Sequence, residues 1–342
     1  MLLWCDGIDF YNSDADLGTS EGHLQRIGTG GTYTTGGRFG GGSLVTSGNM
    51  SAGNNRVQVF PNYKSTIIVQ YAAKYAAALG GDFIMYIYDG AGWAAGLYLN
   101  SNGSLDLRNA AGTTIATSAT GLIRAGVWHY FEWKLVVSNT GTFILRVDGQ
   151  NIFTYAGTID TQATNAYVYI VGLGGGSGGG TYDDIVMMDD TGTECNAMLG
   201  DCRITQLAPI SDTADADWLK STGTDGYAMI DDPVPGTHDG DSTYLYSNVV
   251  DDLSLFDLGN MVTSPTSIFA VQSAFVAKKT TTDARTIRSV LKSDDTVANG
   301  ATKTLTTSYA YYHDVWTLNP DTSAAWAKSE VDAAQLGIET IS

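Results

Sequence analysis

Glu132 stands inside Trp128-His129-Tyr130-Phe131-Glu132-Trp133-Lys134, an acid with aromatic side chains on either side of it. Hydrolysis of a glycosidic bond needs two carboxyl groups flanking the bond, one to donate a proton and one to attack or to activate water. One strand with the spacing Glu-x-Asp-x-x-Glu would supply them, and the chain has no such run. A single acid on a strand is expected to be a hydrogen-bonded structural group. The four histidines (His23, His129, His238 and His313) are scattered, which argues against a zinc site. No serine occupies a Gly-x-Ser-x-Gly elbow between a strand and a helix. The expectation is a chain with no catalytic residues.

Oxygen ligands are more plentiful. Paired acids recur at Asp183/Asp184, Asp189/Asp190, Asp231/Asp232, Asp251/Asp252 and Asp294/Asp295. Asp212-x-x-Asp215-x-Asp217 and His238-Asp239-Gly240-Asp241 add to them. Ca²⁺ takes such hard ligands from loops. None of these segments has the twelve-residue, helix-flanked calcium pattern, so solvated turns are the expected role and Ca²⁺ stays an open alternative. The densest glycine run, Gly172–Gly180, is followed by Thr181-Tyr182-Asp183-Asp184 instead of a lysine and a helix. It reads as a hairpin loop, not a phosphate cradle.

The elements that must carry these residues are strands. Asp82–Asp89 alternates; Gly96–Asn100 and Ser104–Arg108 flank the turn pair Asn102-Gly103; Thr142–Val147 runs into Asp148-Gly149. Further strands are expected at Ser65–Tyr75, Trp128–Val137, Tyr167–Leu173 and Tyr182–Met188. In Trp128–Val137, His129, Phe131, Trp133, Leu135 and Val137 share one face; Trp128, Tyr130, Glu132 and Lys134 share the other. Such spacing predicts a β-sandwich or jelly roll. After a boundary between residues 200 and 212, strands are expected at Ser242–Val250, Ser267–Lys279, Thr286–Lys292 and Lys303–Thr317. One helix is expected over Asp321–Ala334, capped by Asp321 or Thr322. The reading is all-β, with units 1–204 and 205–342, the second a smaller β-sandwich carrying one short helix.

Composition agrees. The 342 residues hold 41 glycines but only 16% charged residues, and 36 acids against 18 Lys and Arg give a net charge of −18. That field repels a phosphate backbone and excludes a nucleic-acid binder. No apolar run approaches the roughly 20 residues of a membrane span. The opening Met1–Asp6 lacks a basic segment ahead of an apolar stretch, so no cleaved export signal is expected. Cys5, Cys195 and Cys202 are expected to be reduced and buried, with a Cys195–Cys202 bridge as the alternative.

Two resemblances follow from particular segments. Trp128–Lys134 followed by Leu145-Arg146-Val147-Asp148-Gly149, together with Tyr182-Asp183-Asp184-Ile185, resembles the concanavalin A-like (laminin-G-like) lectin domains. Taken together with Trp4-Cys5-Asp6-Gly7-Ile8-Asp9-Phe10-Tyr11, Gly36–Leu44, Leu199-Gly200-Asp201-Cys202-Arg203-Ile204, Asp241–Leu245, Asn319–Thr322 and Trp326, the chain resembles a set of tailed-bacteriophage virion and tail proteins. That resemblance implies a non-enzymatic structural protein of the virion, made in the host cytoplasm. It would be a tail, tail-fibre or spike component, a homo-oligomer in a symmetric assembly, bound to other virion proteins and contacting host-surface glycan. Capsid decoration is the alternative, followed by a glycan-degrading enzyme or a secreted carbohydrate-binding module. No cofactor is implied. Trp93, Tyr98, Trp128 and Tyr130 are the expected glycan or partner contacts.

Overall fold

The computed structural model describes residues 1–9, 11, 24–27, 31–46, 56–59, 63–76, 79–159, 167–175, 178–232 and 238–342, with backbone alone at 24–27 and 56–59. The chain divides into two compact units, one ending at Ile204 and one spanning Thr205–Ser342.

The first unit contains β1 (Leu2–Asp6), β2 (Leu24–Ile27), β3 (Gly31–Thr35), β4 (Gly42–Thr46), β5 (Arg56–Val59), β6 (Thr66–Tyr75), β7 (Asp82–Tyr88), β8 (Trp93–Leu99), β9 (Leu105–Asn109), β10 (Thr114–Thr117), β11 (Trp128–Val136), β12 (Gly141–Val147), β13 (Gln150–Gly157), β14 (Ile170–Leu173) and β15 (Gly180–Met188). They form two antiparallel sheets. One has the order β13-β12-β11-β6-β15-β4-β3 with β1 on β15; the other is β10-β9-β8-β7-β14-β5-β2. This is a jelly-roll sandwich.

Alternation builds its core. Ile67, Val69, Tyr71 and Ala73 of β6 and Phe131, Trp133 and Leu135 of β11 meet Ile84, Ile87, Leu97, Leu105, Leu107 and Val171 of the other sheet. Burying one such side chain is worth about 1.5–3 kcal/mol, so this layer dominates the unit's stability. The β12–β13 turn is locked by its own side chain. Asp148, at φ 51°, accepts from Tyr130 N at 2.8 Å and pairs with His129 Nδ1 at 2.7 Å. His129 Nε2 accepts from Arg124 N at 3.1 Å, which leaves the ring proton on Nδ1. The inward histidine thus serves as a brace between two turns.

The second unit contains β16 (Pro209–Ala216), β17 (Leu219–Lys220), β18 (Leu245–Tyr246), β19 (Leu253–Leu258), β20 (Val271–Ala277), β21 (Thr286–Ser293), β22 (Thr296–Asn299), β23 (Lys303–Thr304), β24 (Ala310–Trp316), α1 (Lys328–Ala333) and β25 (Gln335–Thr340). A six-stranded sheet, β16-β19-β25-β21-β22 with β23 on β21, is accompanied by the two-stranded ribbons β17-β18 and β20-β24. Val271 and Trp316 of a ribbon and Val331 of α1 pack against Leu291 and Leu336 of the sheet.

Several expectations are corrected here. The helix is Lys328–Ala333, not Asp321–Ala334. Ser323 sits at φ 54°, Asn319 Oδ1 holds Asp321 N at 2.9 Å, and Trp326 bridges in extended form to Ile268. A turn and a bridge therefore consume the residues that were to cap and open the helix. Ser242–Val250 shrinks to β18, because Asp239 takes Thr243 N and Ser247 Oγ takes Val249 N in local turns. Lys303–Thr317 splits into β23 and β24. The strands β16, β19 and β25 were not anticipated. Within the glycine run, residues 176–177 lie outside the described residues.

Candidate functional site

Phe83 of β7 is the hub of an aromatic layer on the outer face of the seven-stranded sheet. Its register partner on β8 is Tyr98. Its ring meets Trp93 edge-on at 5.0 Å and Tyr98 edge-on at 5.2 Å. The ring lies across Gly96, where a Cβ would sit 2.9 Å from Phe83 Cδ1. A side chain there would lift the ring off the sheet.

Trp93 is fixed by its indole N–H, which donates to Ala95 O at 2.9 Å. Arg108 of β9 lays its guanidinium 3.5 Å from the Tyr98 ring centre and 5.6 Å from that of Phe83. Asp106 accepts from Arg108 Nη2 at 3.4 Å and from Thr117 Oγ1 at 2.9 Å. Tyr86 and Tyr88 of β7 form a further edge-on pair at 5.1 Å. The face thus combines half-buried rings with one planar cation and one carboxyl group, on strands that hold them at fixed spacing. It can stack an apolar ring face and hydrogen-bond its edge.

Two of the four expected contact residues, Trp93 and Tyr98, come together here. Trp128 lies on the other sheet, half-buried, with Lys74 Nζ 4.8 Å over its ring. Tyr130 is corrected outright: it is 1% exposed. The face of β11 that carries Tyr130 and Glu132 was expected to meet solvent, but residues 199–204 run across it as a strap. Leu199 N donates to Gln70 Oε1 at 3.0 Å. Gly200 N donates to Glu132 Oε1 at 2.9 Å, and Gln70 Nε2 donates to Gly200 O at 2.8 Å. The lone acid is therefore occupied by backbone.

The strap ends in a cluster of acids. Ile204 N donates to Asp184 Oδ1 at 2.8 Å. Arg38 forks onto Asp201, donates its backbone N–H to Asp183 Oδ2 at 2.6 Å and lies 3.8 Å from Asp184 Oδ2. Asp6 accepts from Ile8 N and Tyr11 Oη, and Asp9 from Gly42 N. Burial pushes Asp184 up to about 7, with repulsion from Asp183 adding to it. Burial likewise pushes Asp183 and Asp6 up to about 6. Residues from four stretches far apart in sequence, 6–9 with Tyr11, 38–42, 183–184 and 201–204, meet in this one network.

None of Cys5, Cys195 and Cys202 forms a disulfide, so the alternative Cys195–Cys202 bridge is not made. Among the described residues, no group of three or more His, Cys, Asp or Glu side chains is arranged to hold a metal ion. No helix among them is long and apolar enough to cross a membrane.

No protein-family model matches the chain, and no curated protein matches it. Solved structures with a similar course include Cellulose induced protein Cip1 (17% identity, 48% of this chain and 89% of that one, TM-score 0.38). Domain 4 of AbnA, an extracellular arabinanase of Geobacillus stearothermophilus solved with arabinotriose, is another (14% identity, 54% and 91%, TM-score 0.38). A third is the endo-β-1,4-glucuronan lyase of Trichoderma reesei (15% identity, 55% and 95%, TM-score 0.36).

Proposed function

We propose that the chain is a non-enzymatic structural protein of a tailed-phage virion, a tail, tail-fibre or spike component. Its second unit docks on other virion proteins. Its first unit offers the Phe83, Trp93, Tyr98 and Arg108 face to host-surface glycan. The carrying observation is the convergence just described. The start of the chain and the segments 36–44 and 199–204 bear the resemblance to phage proteins, and residues from all three meet Asp183 and Asp184 of the lectin-like strand in one network. They hold the exit of the first unit, at Ile204, against its own sheet.

The reading needs no cofactor. Glu132 and His129, the residues best suited to chemistry, are occupied by backbone and by a neighbouring turn. A weak sugar site on a symmetric homo-oligomer would gain avidity from copy number without new contacts.

The test is a cryo-electron-microscopy map of the particle that carries this chain, with glycan arrays on the purified protein. Density at the tail or its fibres, and array binding lost at least tenfold in Trp93→Ala, is the expected result. Ordered density on the capsid would make it a decoration protein. Absence from the particle, or release of sugar ends from a glycan, would overturn the reading.

A further inference from the structure

The second unit has a cavity of its own, about 260 Å³ in volume, where the β21–β22 turn, the turn following Asn319 and the first turn of α1 meet. We propose that this cavity, floored by Ser293 and Asn319, binds a single uncharged sugar ring and turns acidic sugars away.

The floor is polar and buried. Ser293, the last residue of β21, is 3% exposed and Asn319 is 1% exposed. Ser293 Oγ makes no hydrogen bond among the described residues. Asn319 is locked: its backbone N–H donates to Ala324 O at 2.8 Å and its carbonyl accepts from Ser323 N at 2.8 Å. Its Oδ1 accepts from Asp321 N at 2.9 Å. With the oxygen fixed there, the Nδ2 donor is the end left without a partner among the described residues, on a side chain that lines the cavity. The rim carries Asp294, Asp321, Glu330 and Ser329. Asp294 takes its place at φ 52° in the hairpin turn. Asp321 accepts from Thr296 Oγ1 through one oxygen, and Glu330 from Ala327 N through one oxygen. None of the three carboxylates forms an ion pair among the described residues.

This donor and acceptor set selects the ligand. An anion would meet the like charge of the rim. A bare metal ion would find the carboxylates too dispersed, since no group of three or more His, Cys, Asp or Glu among the described residues is arranged to hold one. An ammonium or guanidinium would press its own N–H donors against Asn319 Nδ2, which can only donate. An apolar group would strip water from that amide and from Ser293 Oγ and replace none of their hydrogen bonds. A hydroxylated ring satisfies every group. One hydroxyl accepts from Asn319 Nδ2 and donates to Ser293 Oγ, and its neighbours donate to the rim carboxylates. The volume lies just below the roughly 300–1,000 Å³ that holds drug-sized ligands, which suits one ring with its hydroxyls. This inference depends neither on the virion reading nor on the aromatic face of the first unit.

The experiment is a nuclear-magnetic-resonance titration of the isotope-labelled full chain carrying Trp93→Ala, so that the first unit's aromatic face does not compete. Methyl glucoside, methyl galactoside and methyl mannoside are the probes; glucuronic acid, arginine amide and Ca²⁺ are the comparisons. The side-chain NH₂ of Asn319 and the backbone amides of Asp294 and Glu330 report, and amides of β6 and β11 are the internal control. The expected result is a saturable shift of the reporters with at least one glycoside, the control still, and binding of glucuronic acid weaker by about tenfold or more. Ser293→Ala should weaken the glycoside by about two- to tenfold, the worth of one neutral hydrogen bond, and leave the melting temperature unchanged, because Oγ has no protein partner to lose. Asn319→Asp keeps an oxygen for Asp321 N and removes the donor, and it should weaken the glycoside at least as much. No shift with any of the three glycosides would overturn the proposal. So would a stronger response to arginine amide or Ca²⁺, or an unchanged affinity in both variants.

Discussion

Glu132→Ala separates a structural acid from a catalytic one. The side chain is 1% exposed, and its Oε1 accepts from Gly200 N at 2.9 Å and from Gln70 Nε2 at 3.3 Å. Truncation leaves the Gly200 amide without an acceptor beneath the strap, at a cost of about 1–3 kcal/mol. Gln70 Nε2 keeps Gly200 O, so it is not orphaned. The emptied volume adds a cavity term, and the total is roughly 3 kcal/mol. For a unit of this size that is a fall of about 6–12 °C in the first unit's melting temperature. Glu132→Gln keeps the oxygen facing Gly200 and places an amide nitrogen where Oε2 has no hydrogen-bond partner among the described residues. It should cost about 1 kcal/mol. Differential scanning calorimetry of the full chain at pH 7 measures both. A first transition unmoved within about 1 °C in Glu132→Ala would refute the structural role. A catalytic role would instead show unchanged melting with loss of a glycan-cleaving activity.

His129→Ala should destabilise the first unit by about 2–3 kcal/mol in urea, because it orphans Arg124 N and unpins Asp148. Asp148→Asn, which suits the positive φ and still accepts from Tyr130 N, should cost about 1 kcal/mol. Gly337→Ala should abolish the second unit's transition while leaving the first in place, since a Cβ there would lie 1.8 Å from Ser254 O across the β19–β25 pairing. Calorimetry with two resolved transitions checks it. Burial pushes the Cys5 and Cys202 thiols up to about 12. A thiol reagent at pH 6 should therefore leave both unlabelled in the native chain and label all three cysteines in urea; fast native labelling would contradict their burial.

Strand content was legible in the sequence because period-2 alternation and turn pairs are local signals. Phe131, Trp133, Leu135 and Val137 declare an inner face by themselves, and Asn102-Gly103 and Asp148-Gly149 declare their turns. Trp93 and Tyr98 could be singled out from the sequence as exposed aromatic contacts, although the structure half-buries both, but Phe83 and Arg108, which join them, could not. Their contact depends on the β7–β8–β9 register and on the missing side chain of Gly96. In the second unit, β25 was hidden behind the helix reading. Gln335–Thr340 is half-buried on both faces, paired between β19 and β21, and so lacks alternation.

The outward face of β11 shows where local reasoning stops. Alternation determined that Tyr130 and Glu132 oppose the core, and they do. Whether that face meets water was decided more than sixty residues away in the chain, by Leu199, Gly200 and Ile204 laid across it. The same holds for the acids. The sequence by itself determined how many carboxyl groups there are and that they cluster in pairs. Only the tertiary structure brought Asp6, Asp9, Asp183 and Asp184 together, with Arg38 beside Asp183 and Asp184 and Arg203 acting on Asp9. Side-chain period is a property of a few adjacent residues, whereas desolvation and charge density depend on what the rest of the chain places beside them.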